Sequence, residues 1–198
     1  MSTDAIRLVI FASGAGTNAE HIYLAFRHHP FIRVAAIFTN NARAGVIDRM
    51  RHYEIPVELF SSAELMDGTL LKRLEQYGAD WIILAGFLKK IPRVLINAYP
   101  QRILNIHPAL LPRFGGKGMY GMRVHRAVLD AKEKITGISI HYVDDGYDTG
   151  PIIFQAAIEI QPDETPESLA QRIHQLEYWF YPQIIENIIT TSHCTGSP

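Results

Sequence analysis

Short apolar runs that alternate with helical patterns constrain this chain more than any other feature. Runs rich in β-branched and aliphatic residues fall at Arg7–Ala12, Arg33–Thr39, Val57–Phe60, Trp81–Ala85 and Arg102–Ile106. They show little polar alternation, so each predicts a strand buried on both faces. Helix-like segments lie between them, at Asn18–His28, Gly45–His52, Ala63–Tyr77 and Arg93–Ala98. Strand, helix and strand in repetition predicts α/β architecture: a mostly parallel twisted sheet with helices on both faces. After Arg123 the rhythm changes. A helix over Val124–Lys132 leads to two strands, Gly137–Val143 and Ile152–Ile160, separated by "DDGYDTG", which predicts an antiparallel pair. Thr165 and Pro166 open a long final helix, buried along Leu169, Ile173, Leu176 and Phe180. Pro182 lies inside that pattern and predicts a kink or break near Tyr181.

The chain has 198 residues, which suits a single domain over 1–190, followed by a polar tail, 191–198, expected to fray. Its net charge of −1 supplies no field for nucleic acid or anionic membrane, so neither is expected as a partner. The longest apolar runs, such as "WIILAGFL", are too short to span a bilayer. The start, "MSTDAIRLVIFAS", lacks the basic region and cleavage site of a signal peptide. Cys194 is the single cysteine, so no intrachain disulfide is possible and a reducing cytoplasm is the expected compartment.

Two stretches carry chemistry. In "VIFASGAGTNAEHI" a strand gives way to Ser-Gly-Ala-Gly-Thr-Asn and then a helix. Glycines let backbone N–H groups turn inward, and the helix N-terminus adds its partial positive charge, so the segment reads as an anion cradle. It is not a Walker A loop, because no Lys-Ser/Thr pair follows. It has Gly14 and Gly16 of a dinucleotide fingerprint but Ala19 at the third place. The other reading is a tight turn with no ligand.

In "ILNIHPALLPRFGGKGMYG" an apolar strand ends in Asn105 and His107. Two apart on a strand, their side chains share a face. Open α/β sheets bind ligands at this carboxyl end. An amide donor and an imidazole suit acyl or formyl transfer: one stabilises an oxyanion, the other moves a proton. The plainer reading is a turn-forming asparagine and a polar strand end. Asp144, Asp145 and Asp148 crowd the turn in "DDGYDTGPI", and a carboxylate brought close to His107 would favour imidazolium. Their spacing does not fit an EF-hand, and no metal is expected. His28 and His29 are adjacent on a helix and read as surface residues. The glycines from Gly115 to Gly121 predict a mobile flap.

Together, "FASGAGTN", "LAGFLKKI", "NIHPALLP", "GISIHYVDDGYDTGPI" and "HQLEYWFYP" resemble the folate-dependent formyltransferases across nearly the whole chain. Within them, they resemble the purine-biosynthetic branch that acts on phosphoribosylglycinamide. The resemblance implies a Rossmann-like formyltransferase fold and transfer of a formyl group from 10-formyltetrahydrofolate, as co-substrate, to the amine of 5'-phosphoribosylglycinamide. It implies a catalytic triplet of Asn105, His107 and Asp148, and Gly16, Thr17 and Asn18 on the substrate phosphate. It places His174 and Glu177 on the rest of that substrate. Leu88, Lys89, Lys90, Ile91, Asn105, Asp144, Asp145, Gly146, Tyr147 and Asp148 are implied to contact folate, with Ser139 and His141 behind the triplet. The chain departs from the family in its longer "GGKGMYGMRVHRAV" segment, and it lacks a clear arginine counterpart near Ala63 for the folate tail. Related chemistries are formyltetrahydrofolate hydrolysis and N-formylation of a sugar amine. Small-molecule substrates are expected throughout. The oligomeric state stays open, since Trp179 and Phe180 suit either a core or an interface.

Overall fold

The computed structural model describes residues 5–194, without the side chains of residues 193 and 194. Among them, seven strands form one sheet in the order β3-β2-β1-β4-β5-β6-β7. β1 (Ile6–Phe11), β2 (Ile32–Thr39), β3 (Val57–Leu59), β4 (Trp81–Leu84) and β5 (Ile103–His107) are parallel. β6 (Ile135–Tyr142) runs antiparallel to β5, and β7 (Ile152–Glu159) antiparallel to β6. The mostly parallel sheet with an antiparallel C-terminal pair therefore stands as expected.

Successive residues of each inner strand feed opposite layers, as the two-residue strand period requires. Leu8 and Ile10 join one buried cluster, with Ile22 and Phe26 of α1 (Thr17–Phe26), Val46 of α2 (Gly45–Met50), Val124 of α6 (Met122–Asp130) and Ile173 of α7 (Pro166–Cys194). Val9 and Phe11 join the other, with Leu65 of α3 (Ser62–Asp67), Leu70 of α4 (Thr69–Gln76) and Leu95 of α5 (Arg93–Ala98). The helices thus cover both faces. The chain order reverses at β1, between β2 and β4, and a crevice for ligands opens at the carboxyl ends there.

Three local expectations change. The helix read over Ala63–Tyr77 is two helices, divided by Gly68 at φ 82°. A Ser61–Glu64 capping box starts the first of them. Pro182 neither breaks nor ends α7, which runs 29 residues from Pro166 to Cys194. Core contacts on both sides of the proline hold the helix: Leu169 and Ile173 before it, Tyr181, Ile185 and Ile189 around and after it, all fully buried or within 1% of it. The start of the tail expected to fray, Thr191–Cys194, continues this helix, while residues 195–198 lie outside the described residues. Among the described residues no helix is long and apolar enough to cross a membrane.

Candidate active site

A cleft of about 690 Å³ opens over the carboxyl ends of β1, β4 and β5. Gly14, Gly16, Thr17 and Asn18 line one end. β1 stops at Phe11, and the chain turns through Gly16, at φ 78°, into α1. The first N–H groups of α1 have no acceptor within the helix, so they face outward as donors. α2 clamps the turn from behind: Val46 N–H donates to the Gly14 carbonyl at 3.1 Å and Arg49 Nε to the Ala15 carbonyl at 2.8 Å. Arg49 is itself held by Glu20 at 2.8 Å. Gly16 is demanded by this packing as well as by any ligand. A Cβ there would fall 2.5–2.7 Å from Val46, while one on Gly14 would meet nothing within 4 Å.

Asn18 Nδ2 donates to Glu177 Oε2 at 2.9 Å, so its side chain is turned to α7. Glu177 is only 4% exposed, and a carboxylate that deep needs partners. It has Asn18 and His174, whose Nδ1 lies 2.8 Å from the same oxygen. The bond to Glu177 raises the His174 pKa against the opposing effect of burial, favouring imidazolium. The His21 ring stacks on Tyr178 beside them at 3.8 Å.

At the other end β5 delivers Asn105 and His107. The antiparallel neighbour β6 sets Ser139 opposite His107 and His141 opposite Asn105. Asp148 comes from the turn after β6. His107 Nε2 lies 2.8 Å from the Phe114 carbonyl, an acceptor, so that nitrogen carries hydrogen. Nδ1 is then the basic nitrogen of the neutral ring, 3.5 Å from Asp148 Oδ2. The same reasoning assigns His141: Nδ1–H donates to the Tyr142 carbonyl at 2.8 Å, leaving Nε2 to accept from Asn105 Nδ2 at 3.0 Å. Asn105 Nδ2 also donates to Asp148 Oδ1 at 3.3 Å, so both amide hydrogens are engaged. Phe114 and Asp148, which both touch His107, sit in the left-handed region at φ 57° and 56°, uncommon for residues with a side chain.

Burial lowers the His107 pKa, and the opposing pull of Asp148 and of the Phe114 carbonyl does not restore it. Asp148 does favour the imidazolium, as its spacing suggested, but burial outweighs it and the balance favours the neutral ring. For Asp148 burial is again the largest influence and acts upward, but the Gly116 N–H and the charged forms of His141 and His107 hold the carboxyl below its usual range.

Leu88, Lys89, Lys90, Ile91, Asp144, Gly146 and Tyr147 line the cleft between these ends. Ser13 fixes the first of them. Its Oγ accepts from Leu88 N–H at 3.1 Å and donates to Asn40 Oδ1 at 2.7 Å, joining the loops after β1, β2 and β4. Asp145 does not line the cleft. Its carboxylate is drawn away to Arg93 Nε at 2.6 Å and Lys90 Nζ at 3.3 Å. Lys90 is therefore already paired. Ser139, which β6 sets opposite His107, also holds the following loop: it donates to the Ala109 carbonyl and accepts from Leu111 N–H. The expected flap is tied at its base, because Gly116 N–H donates to Asp148 Oδ2 at 3.0 Å. His28 is exposed as expected, whereas His29 is not a free surface residue: its Nδ1 accepts from Ile32 N–H, and Nε2 lies 3.2 Å from Glu186.

Sequence reasoning missed several lining residues. His125, 2% exposed, and Arg123 come from α6, and Tyr178 from α7. His125 interrupts the apolar stripe of Val124 and Val128, which was the one available signal. Burial lowers its pKa, with Glu177 opposing.

A cleft with an anion cradle at one strand end and an amide–imidazole–carboxylate cluster at another defines a group-transfer site, and the chain belongs to the formyl transferase family, which it matches over residues 6–185. It is 36% identical over 189 residues to phosphoribosylglycinamide formyltransferase of Bacillus subtilis (strain 168), covering 92% of this chain and 94% of that one. It is 40% identical over 186 residues to the chloroplastic phosphoribosylglycinamide formyltransferase of Arabidopsis thaliana, covering 90% of this chain. The chain spans 64% of that relative's length and 60% of its counterpart in Vigna unguiculata. Among solved structures, phosphoribosylglycinamide formyltransferase from Bacillus halodurans superposes with a TM-score of 0.83 at 37% identity, covering 94% of this chain and 96% of that one.

Proposed function

We propose that the chain transfers a formyl group from 10-formyltetrahydrofolate to the amine of 5'-phosphoribosylglycinamide, a step of purine biosynthesis. The observation that carries this reading is one cleft holding both an uncharged anion cradle, Gly14–Asn18, and the Asn105–His107–Asp148 cluster. Relatives named for this activity support it.

In this reading the substrate phosphate lies against Gly14, Gly16 and the first N–H groups of α1, Thr17 and Asn18 among them. The Asn18 side chain serves Glu177 rather than the phosphate. His174 and Glu177 take the glycinamide portion. The pterin lies along Leu88–Ile91, Asp144, Gly146 and Tyr147, with Lys89 free to meet an anionic tail while Lys90 holds Asp145.

The amine nitrogen attacks the formyl carbon, and the carbonyl electrons move onto oxygen. Asn105 exchanges its longer 3.3 Å contact with Asp148 for that oxyanion and keeps the 3.0 Å bond to His141. His107 Nδ1 accepts the proton that the amine sheds. A neutral ring is the competent form for that step, and Asp148 stabilises the imidazolium that results. Collapse of the adduct breaks the bond from carbon to folate N10, which takes a proton in turn, so the imidazole ends as it began. The chain needs to supply no further reactant.

The test is a steady-state assay with both substrates and a control without the amine. Formyl transfer dependent on phosphoribosylglycinamide is expected. Folate release at equal rate without the amine would replace the proposal with hydrolysis.

A further inference from the structure

Trp179 stands on the outer side of α7 and is 66% exposed, on a helix whose other side packs Ile173, Tyr181 and Ile185 into the core. At 3.6 residues per turn, Arg172, Gln175, Gln183 and Glu186 all fall within about 40° of it. Each is exposed or half-buried. Their order is a palindrome in chemical terms. Four residues either side of the indole stand side-chain amides; seven residues either side stand a cation and an anion.

A two-fold contact brings residue i against j and, by the same operation, j against i. Two copies of α7 laid antiparallel about an axis at Trp179 set position 179 minus k against position 179 plus k. Indole then meets indole, Gln175 meets Gln183, and Arg172 meets Glu186, twice. Amides suit amides because each carries both donors and acceptors. The charged pair is fixed in place beforehand: Arg172 is held by Glu164 at 2.6 Å and by the Glu159 carbonyl, and Glu186 by His29 at 3.2 Å. Little side-chain freedom remains to be lost on contact. A foreign partner would require no relation between the two ends of the face, and a membrane surface would not match its alternating signs.

We infer that this face of α7 is the contact between two copies of the chain, antiparallel and centred on Trp179. One helix per copy makes a small interface, at or below about 1,200 Å², so the dimer should dissociate on dilution through the micromolar range. Sedimentation over that range tests it. The unmodified chain is expected to pass from monomer to dimer, and Trp179→Glu to stay monomeric at every concentration. Arg172→Glu and Glu186→Arg should each weaken association at least tenfold, and the double exchange should recover most of the loss. Circular dichroism melts verify that each variant folds. A chain monomeric up to near-millimolar concentration overturns the inference. So does a dimer indifferent to Trp179→Glu, which would place the contact elsewhere, or a double exchange that restores nothing, which would rule out the antiparallel register.

Discussion

At the carboxyl end of β1 the cleft wall is backbone; at the carboxyl end of β5 it is side chain. The β1 end offers N–H groups whose charge does not change with pH, set by a left-handed glycine packed on Val46. The β5 end offers an imidazole and a carboxylate whose protonation depends on burial and on each other. The first arrangement suits recognition of a fixed charge. The second suits a step in which charge moves. Substitutions at the two ends should therefore fail differently, one in binding or folding, the other in turnover.

The largest effect is expected from His107→Ala. Losing the proton acceptor should cost about two orders of magnitude in turnover or more, with KM for the amine little changed. Asn105→Ala should come close to this, as an oxyanion donor is worth a similar factor. A variant of either kind turning over at the unmodified rate would erase the contrast between the ends.

Next comes Asp148→Asn, with turnover down by about tenfold and a displaced pH profile. On the proposed mechanism the active ring is neutral, so the acid limb of the profile follows His107. Asp148 raises the pKa of that ring against the stronger effect of burial. Removing the charge lowers it further, and the limb should move to lower pH. A limb that stays in place while turnover falls would show Asp148 acting on substrate instead.

The β1 end is sharpened by two glycines. Gly14→Val projects into open cleft and should raise KM for phosphoribosylglycinamide about tenfold, about 1.4 kcal/mol, with KM for the folate and the melting temperature unchanged. Gly16→Val meets Val46 and a φ of 78°, and should lower the melting temperature before any question of binding arises. Overpacking of this kind costs about 1–3 kcal/mol. If both variants lose substrate affinity with full stability, Gly16 serves the ligand alone.

Tyr181→Phe should have the smallest effect on turnover, within about twofold. The Tyr181 hydroxyl is fully buried and donates to the carbonyls of Leu84 and Leu104 at 3.0 and 3.1 Å. Losing the hydrogen that the two carbonyls share should cost about 1 kcal/mol of stability, seen in a denaturant titration.

The inner strands and both strand ends were readable in the sequence, because a parallel strand buried on two faces is an unbroken apolar run and because Asn105 and His107 interrupt one. What was not readable depends on contacts far apart in the chain. Asp145 looks like its neighbours until Arg93, 52 residues away, claims it. His125 enters the cleft only because its buried face on α6 packs against α7. The neutral state of His107 follows from burial, which spacing along the chain does not report. The apolar period resumes after Gly68 and hides the break there, and at Pro182 the missing hydrogen bond is small beside the packing of Tyr181 and Ile185.

The hydroxyl of Tyr181, clasped by two strands, also makes α7 a gauge. Glu177 stands four residues before it on the same rod, about 6 Å along the axis, and its carboxylate reaches the cleft only at that phase. Adding or removing one residue between them would swing the carboxylate by about 100° away from Asn18. Length can therefore drift in the loop from Gly115 to Gly121, while the three residues between Glu177 and Tyr181 should tolerate changes of identity but none of number.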